Sequence, residues 1–372
     1  MRRTRPVCRR AMQISLTGLA VVLFLWGARI GLPGSVSHVP WLTSVGAAAR
    51  LTVKQTFKHS GHVSAIAFSP DRRYLAAGGL LERSISVWNV KTGTLVKSLV
   101  PGAGGVTALA WSPNSKMLAA GRSFVRSTPS RTFVSIWDLA SGRLLHELPE
   151  PFGRTDVLND VRYVAFSPDG NQLAAHSAGL AIYDVPTWRL LRTFTGHLAV
   201  GAAFAYASDG RYLAVSGEPT HAPIQIYDAG TGTHIRDFLA NVGAQQVMAV
   251  SPDGRFVVSA GYYTPAINVW DAETGRIART PLLGHAGPVR ALTYSPDGRW
   301  LASASGGDSV KLWSTRHGES VESISMTPEA GRTLLFSPDG AGLAFGEGDV
   351  VKVWDFRAAL PQLLDLLDRK GR

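Results

Sequence analysis

The amino-acid sequence predicts an all-β fold, a closed ring of seven four-stranded antiparallel sheets. Three observations in the chain of 372 residues support this prediction. A short turn motif recurs seven times, apolar strand-like runs flank each copy, and the last unit lacks a fourth strand of its own. Together they determine the number of sheets, the strands in each sheet and the way the ring closes.

The turn motif reads Ser-Pro-Asp-Gly in its fullest form, as at residues 167–170. Successive copies are 43, 55, 40, 44, 44 and 42 positions apart, a spacing typical of a repeat protein. Pro168 presets the φ angle of a type I turn, Asp169 suits the next position, and Gly170 can adopt a positive φ. We therefore interpret Asp169 as a turn residue. The copies begin at Ser69, Ser112, Ser167, Ala207, Ser251, Ser295 and Ser337.

Each turn lies between two apolar runs, such as VSAIAF before it and YLAAGG after it. A third run alternates in polarity and ends on an aromatic residue, as in SISVWN and INVWD, and a turn then leads to a more polar fourth run. Runs of this length and alternation predict β-strands. A single sheet of this kind has two apolar faces, and radial stacking of sheets into a β-propeller covers both.

The repeat resembles the WD40 family in its period, in the Gly-His pair before the first strand and in the Trp-Asp or Tyr-Asp that ends the third. The resemblance covers about residues 51–355 and implies a seven-bladed β-propeller. It implies structural roles for His62, His197, His285, Trp88, Trp137, Trp270, Trp313 and Trp354. The chain departs from the family where an aspartate normally precedes the tryptophan by six positions: it has Glu82, Thr264, Gly307 and Gly348 there. Apolar packing between blades is therefore expected to carry more of the stability.

The seventh unit reaches Trp354-Asp355 without a following glycine turn or fourth strand. Residues 51–57, LTVKQTF, have the character of a fourth strand, and the resemblance implies that they complete the last blade. The propeller is thus assigned to residues 51–357. Pro361 near a first turn, followed by a leucine-rich stretch, predicts a short helix or tail at residues 358–372 that packs on the disc.

The N-terminus predicts a membrane segment. Residues 1–12 form a basic cytoplasmic leader, and residues 13–30 are assigned as a transmembrane signal-anchor or a signal peptide. Residues 11–28, which overlap this segment, are 18 residues without a charge. As a helix they would span about 27 Å, close to the thickness of the hydrocarbon core of a bilayer. The charge asymmetry places the propeller outside, either membrane-anchored on the extracytoplasmic side or, after cleavage, secreted or periplasmic. Residues 31–50 are assigned as a linker.

Composition narrows the function classes. The net charge of +11 comes mainly from seven arginines in residues 1–50, and residues 51–372 carry only +4, which argues against nucleic-acid binding. Cys8 is the only cysteine, so an intrachain disulfide is impossible, and neither a cysteine zinc site nor a cysteine nucleophile is expected. The chain has no His-Glu-x-x-His pair, Gly-x-Ser-x-Gly elbow or phosphate loop. We expect no cofactor, no metal and no catalytic activity.

We expect a monomeric, non-catalytic interaction scaffold that binds a protein or peptide through one face of the disc. This top face carries the loops from second to third strands and from fourth strands to the next first strand, and several of them are lengthened. Arginine and aromatic residues dominate interface hot spots, and these loops contain Arg122, Phe124, Arg126, Arg131, Tyr262 and Tyr263. The alternative is an extracytoplasmic enzyme or small-ligand binder at the channel mouth, which predicts several His, Asp or Glu side chains converging on the axis.

Overall fold

In the residues that the computed structural model describes, 28 β-strands form seven antiparallel sheets of four strands. The predicted seven-bladed β-propeller is confirmed. The described residues are 51–81, 84–100, 104–123, 132–152, 160–194, 203–216, 224–238, 245–261, 264–306, 309–325 and 333–370. The predicted leader, membrane segment and linker at residues 1–50 lie outside these ranges. Within them, no helix is long and apolar enough to cross a bilayer.

Six blades consist of four consecutive strands each. Blade 1 contains β2 (Val63–Phe68), β3 (Tyr74–Gly79), β4 (Ile85–Asn89) and β5 (Leu95–Leu99). Blade 2 contains β6 (Val106–Trp111), β7 (Met117–Arg122), β8 (Thr132–Asp138) and β9 (Leu144–Pro149). Blade 3 contains β10 (Tyr163–Phe166), β11 (Gln172–His176), β12 (Leu180–Asp184) and β13 (Leu190–Phe194).

The same order continues around the ring. Blade 4 contains β14 (Phe204–Tyr206), β15 (Tyr212–Ser216), β16 (Ile224–Asp228) and β17 (His234–Phe238). Blade 5 contains β18 (Gln245–Val250), β19 (Phe256–Gly261), β20 (Ile267–Asp271) and β21 (Ile277–Leu282). Blade 6 contains β22 (Val289–Tyr294), β23 (Trp300–Ser305), β24 (Ser309–Ser314) and β25 (Ser320–Ser325).

Blade 7 closes the ring with strands from both ends of the propeller. Its order is β1 (Val53–Lys58), β28 (Val350–Asp355), β27 (Gly342–Glu347) and β26 (Leu334–Phe336). β1 pairs antiparallel with β28, and Phe57 lies opposite Val351. The closure expected from residues 51–57 is therefore confirmed.

The core is divided among the interfaces between blades. The described residues form seven buried apolar clusters, and each cluster contains residues from two neighbouring blades. Both faces of every sheet are therefore covered, as the apolar strand patterns require. The smallest cluster joins blades 3 and 4, where six buried residues meet.

The recurring turn has the predicted structure. Ser167 Oγ and the Asn171 backbone N–H both donate to Asp169 Oδ1, at 2.5 and 3.0 Å, and Gly170 has a φ of 75°. The Ser167 hydroxyl, followed by the Asn171 amide, holds the pKa of Asp169 below its ordinary value. Asp169 is thus held within its own turn, and the turn interpretation is confirmed.

The helix α1 (Phe356–Lys370) follows β28 directly. Asp355 caps it, because Asp355 Oδ1 accepts a hydrogen bond of 3.0 Å from the Ala358 N–H. This cap starts the helix two residues earlier than the sequence predicts, so Pro361 lies in its second turn. Phe356 and Leu363 are buried against blades 6 and 7, with the ring centroids of Phe356 and Phe336 5.0 Å apart. The predicted packing of this segment on the disc is confirmed.

The buried tryptophans of the third strands differ in their polar partners. Trp313 Nε1 donates to Ser303 Oγ at 2.7 Å, and Trp270 Nε1 donates to Ser259 Oγ at 2.8 Å. Strand register places Ala120 at the equivalent position in blade 2. In the described part of the chain, Trp137 Nε1 is buried without a hydrogen-bond acceptor. Ala120 thus leaves this indole without the serine acceptor that blades 5 and 6 provide.

We expect Ala120→Ser to stabilise the protein by about 1 kcal/mol, because the new hydroxyl can accept the Trp137 indole N–H. Urea unfolding followed by tryptophan fluorescence measures the change. Ala175→Ser is the matched control: it is the same position in blade 3, where the facing residue is Tyr183 and no indole needs an acceptor. Equal effects of the two substitutions would contradict this explanation.

Candidate functional site

One of the six residues proposed for partner binding is described, and the structure corrects its assignment. Arg122 was expected in a loop, but β7 continues through it and its backbone pairs with Val106. The side chain is 2 % exposed, and its guanidinium donates to Ser135 Oγ at 3.1 Å. Arg122 is therefore an internal residue of blade 2 and does not belong to an exposed binding surface.

The other five proposed residues lie outside the described ranges: Phe124, Arg126, Arg131, Tyr262 and Tyr263. Their role in binding stays a prediction. The described strands on either side of these residues are β7 and β8 in blade 2 and β19 and β20 in blade 5.

Among the histidines expected to be structural, His285 is buried and its Nε2 lies 2.6 Å from Ser303 Oγ. The same serine accepts the Trp313 indole N–H, so a His-Ser-Trp chain of hydrogen bonds forms in blade 6. His62 is only half-buried, and the buried imidazole before blade 1 belongs to His59, whose Nδ1 bonds with Ser86 Oγ at 2.9 Å. His197 lies outside the described residues. The five tryptophans are all buried: Trp88, Trp137, Trp270, Trp313 and Trp354.

The first strands surround a central channel of about 550 Å³ that extends towards the top face. Apolar side chains form much of its wall, including Val164, Leu292 and Leu335. The charged residues in its described lining are Asp160, Arg162 and Arg290. The channel thus combines an apolar wall with an excess of positive charge.

One position at the start of the first strand differs between the blades around the channel. A β-bulge follows the first residue of β2, β6 and β22, and the bulged residues are Ser64, Thr107 and Arg290. The Ser64 hydroxyl donates to Val106 O of blade 2 at 2.5 Å, and the Thr107 hydroxyl donates to Val161 O of blade 3 at 2.6 Å. In these blades the bulge connects neighbours across an interface.

Blades 3 and 6 have arginine where blades 1 and 2 have a hydroxyl. Arg162 immediately precedes β10, and its backbone N–H donates to His176 O. Arg162 and Arg290 are both exposed, and neither forms an ion pair with any residue in the described ranges. Two guanidinium groups are therefore available at the channel to a partner with carboxylate or phosphate groups.

Blade 3 also contains a buried histidine at the end of its second strand, where it pairs with Tyr163. His176 is fully buried, and neither ring nitrogen has a hydrogen-bond partner among the described residues. Burial, with a smaller effect from the Arg162 guanidinium, lowers the pKa of His176 from 6.5 to about 4. His176 is therefore neutral at neutral pH, and protonation would place a second positive charge near Arg162.

Sequence reasoning missed the bulge position, although the signal was in the chain. The first-strand runs VSAIAF, VTALAW, VRYVAF and VRALTY share valine and then differ at the next residue. That difference separates the hydroxyl blades from the arginine blades. The loop insertions change the length of a repeat, whereas this substitution leaves the length unchanged, so the spacing of the repeats does not reveal it.

The alternative of a metal-dependent or acid-base site predicts several His, Asp or Glu side chains around the axis. Of these residue types, the described lining of the channel contains Asp160. Across the described ranges, no group of three or more His, Cys, Asp or Glu residues is placed to hold a metal ion.

Comparison with known proteins agrees with the architecture. A family model for the WD domain, G-beta repeat (WD40) matches residues 51–89, 93–138 and 276–314. The chain therefore contains WD40 repeats, and they lie within a seven-bladed propeller. No curated protein was found to match the chain.

We expect the free energy of unfolding to fall as the pH drops from 6.5 to 4, because the unfolded chain binds a proton at His176 and the folded chain does not. The contribution of His176 is complete above pH 6.5 and decreases by up to about 3 kcal/mol by pH 4. Urea unfolding at a series of pH values measures it. His176→Leu should flatten this dependence, and His317→Leu, at an exposed turn, controls for the loss of one histidine. An unchanged slope in His176→Leu would contradict the assignment.

Proposed function

We propose that the protein is a non-catalytic interaction scaffold whose top face binds an acidic segment of a protein or peptide at the channel mouth. The observation that carries this proposal is the pair of exposed arginines, Arg162 and Arg290, at a position where neighbouring blades use a hydroxyl for internal bonding. WD40 propellers typically bind protein partners and generally act without catalysis, which supports this class of function.

The rigidity of the disc supports binding without rearrangement. The Ser64 and Thr107 hydroxyls join blades 1, 2 and 3 around the channel, and the β-bulges aim the side chains at positions 64, 107 and 290 away from the regular strand pairing. A Cβ atom at Gly306 would lie 2.6 Å from Arg290 Nε, so this glycine leaves room for the arginine beside the loop backbone. An arginine held in this way offers planar donors to carboxylates with little loss of side-chain entropy.

The runner-up function, an enzyme or small-ligand binder at the same mouth, has weaker support. The described channel lining offers one carboxylate and two guanidinium groups, whereas acid-base or metal chemistry needs a closely spaced set of titratable groups. The apolar wall and the two arginines are instead suited to a partner peptide that inserts an acidic side chain into the channel mouth.

The double variant Arg162→Glu/Arg290→Glu tests the binding site. We expect it to bind a fluorescein-labelled, glutamate-rich peptide at least tenfold more weakly than the wild type, and wild-type binding should weaken with added salt. Arg143→Glu/Arg276→Glu makes the same charge change on the opposite face and should bind normally. Fluorescence anisotropy measures all three proteins. Equal binding by the two double variants, or preference for a lysine-rich peptide or for RNA, would contradict the proposal.

We further propose that residues 13–30 hold the propeller at the outer side of a membrane, as an uncleaved anchor or before cleavage of a signal peptide. The support is the arginine-rich N-terminus followed by an apolar stretch of bilayer length. We expect the protein to remain with membranes after alkaline carbonate extraction and the propeller to be digested by protease added outside. Intact-mass measurement separates the anchored from the cleaved form. Protection from external protease in sealed cells or spheroplasts would contradict the proposed orientation.

A further inference from the structure

The bottom face of the propeller contains a cleft between blades 5 and 6 that the proposed function does not use. Its volume is about 590 Å³, within the range of small-molecule sites. The inner surface is apolar and aromatic, with Phe256, Leu301 and Trp313, whereas Arg279 and Arg316 line its polar part. It opens among the turns after first and third strands, on the face opposite the channel mouth.

Comparison with the other interfaces shows that these two arginines meet at an unusual pairing. At two other interfaces, the side chain in the middle of the fourth strand bonds to the third residue of the neighbouring blade's turn. Lys97 Nζ donates to Ala140 O at 3.2 Å, and Arg192 Nη2 donates to Gly230 O at 2.6 Å. These bonds connect blade 1 to blade 2 and blade 3 to blade 4 near the rim.

At the interface between blades 5 and 6, strand register places Arg279 at the Lys97 and Arg192 position. The third residue of the facing turn is Arg316, where the other turns have Lys91, Ala140, Pro186, Gly230 and Glu273. Two positively charged side chains, Arg279 and Arg316, therefore line the same part of the cleft. Within the described residues, the side chains of Arg279 and Arg316 form no hydrogen bond and no ion pair, so both guanidinium groups lack an acceptor.

The same turn has also lost a negative charge. The last residue of the third strand is Asn or Asp in the other six blades, and in blade 6 it is Ser314. In blade 5, Asp271 Oδ1 accepts a hydrogen bond of 2.7 Å from the Thr274 N–H. In blade 6, Ser314 Oγ accepts a longer and weaker hydrogen bond of 3.4 Å from the His317 N–H. The exchange weakens the turn and removes a carboxylate beside the two arginines.

The Tyr294 hydroxyl adds a further donor to the cleft. Burial raises the pKa of Tyr294 above its ordinary value, so this side chain stays protonated. It has no hydrogen-bond partner within the described ranges. Each of the two carboxylates of the lining accepts a hydrogen bond from its own turn through Oδ1: Ser251 Oγ donates to Asp253 at 2.6 Å, and Ser295 Oγ donates to Asp297 at 2.5 Å. The cleft thus presents more unused donors than acceptors.

We propose that this cleft binds a small organic anion with a phosphate or carboxylate head and an aromatic or apolar body. The anion lies between Arg279 and Arg316, accepts hydrogen bonds from both and offsets their mutual repulsion. The body packs against Phe256, Leu301 and Trp313. The site is separate from the channel mouth and does not depend on its function.

Isothermal titration calorimetry of the full-length protein in detergent with 1-naphthyl phosphate tests this proposal. We expect saturable binding, and at least tenfold weaker binding of inorganic phosphate and of 1-naphthol, which carry only the head or only the body. Arg279→Gln should weaken binding by roughly 10- to 100-fold through loss of charge-assisted hydrogen bonds. Arg236→Gln, the same strand position in blade 4, should leave it unchanged.

Ser314→Asp separates ligand binding from folding. It restores the residue found in other blades, so the melting temperature should stay the same or rise while the affinity for 1-naphthyl phosphate falls at least tenfold. Absence of saturable binding by the wild type, or normal affinity in Arg279→Gln or Ser314→Asp, would overturn the proposal. Binding that requires Arg162 and Arg290 instead would place the anion at the channel mouth and would also overturn it.

Discussion

The pairing of β1 with β28 is the interaction on which the rest of the propeller depends. Every sheet has two apolar faces, and a ring covers all of them only if its last blade is complete. β1 supplies that strand and buries Phe57 against Trp88 of blade 1, with ring centroids 5.5 Å apart. Without β1, β28 would become the outer edge of blade 7, and blade 1 would lose the cover that Phe57 provides. Closure therefore stabilises two blades at once.

The architecture was predictable because it follows from local rules repeated seven times. The Ser-Pro-Asp-Gly turn, with Asp169 held by Ser167, needs only neighbouring residues, and strand alternation needs only burial on both faces. Side-chain position at the strand ends was less predictable. Arg122 was expected to be exposed, yet one further residue of strand pairing turned it inward. An error of one or two residues in the predicted end of a strand therefore changes an expected loop position into a buried strand position.

The candidate sites were harder to predict because they depend on differences between blades at constant length. Arg162 and Arg290 replace the hydroxyls that connect neighbouring blades at Ser64 and Thr107, and Ser314 with Arg316 alters a position where the other blades have asparagine or aspartate. These substitutions become visible only when register aligns the blades residue by residue. A repeat fold makes this comparison possible within one chain, because the other blades show what each position does when it serves structure alone.

Ring closure also has a consequence for the order in which the chain is made. Phe57 and its partner Val351 are about 300 residues apart in the sequence. During synthesis β1 therefore has no pairing partner until β28 has left the ribosome. A waiting strand is an open edge that another copy could join. Lys54 and Lys58 lie exposed on β1, and charged side chains on an edge discourage such pairing. We therefore expect these two lysines to disfavour pairing with another copy until β28 has been synthesised.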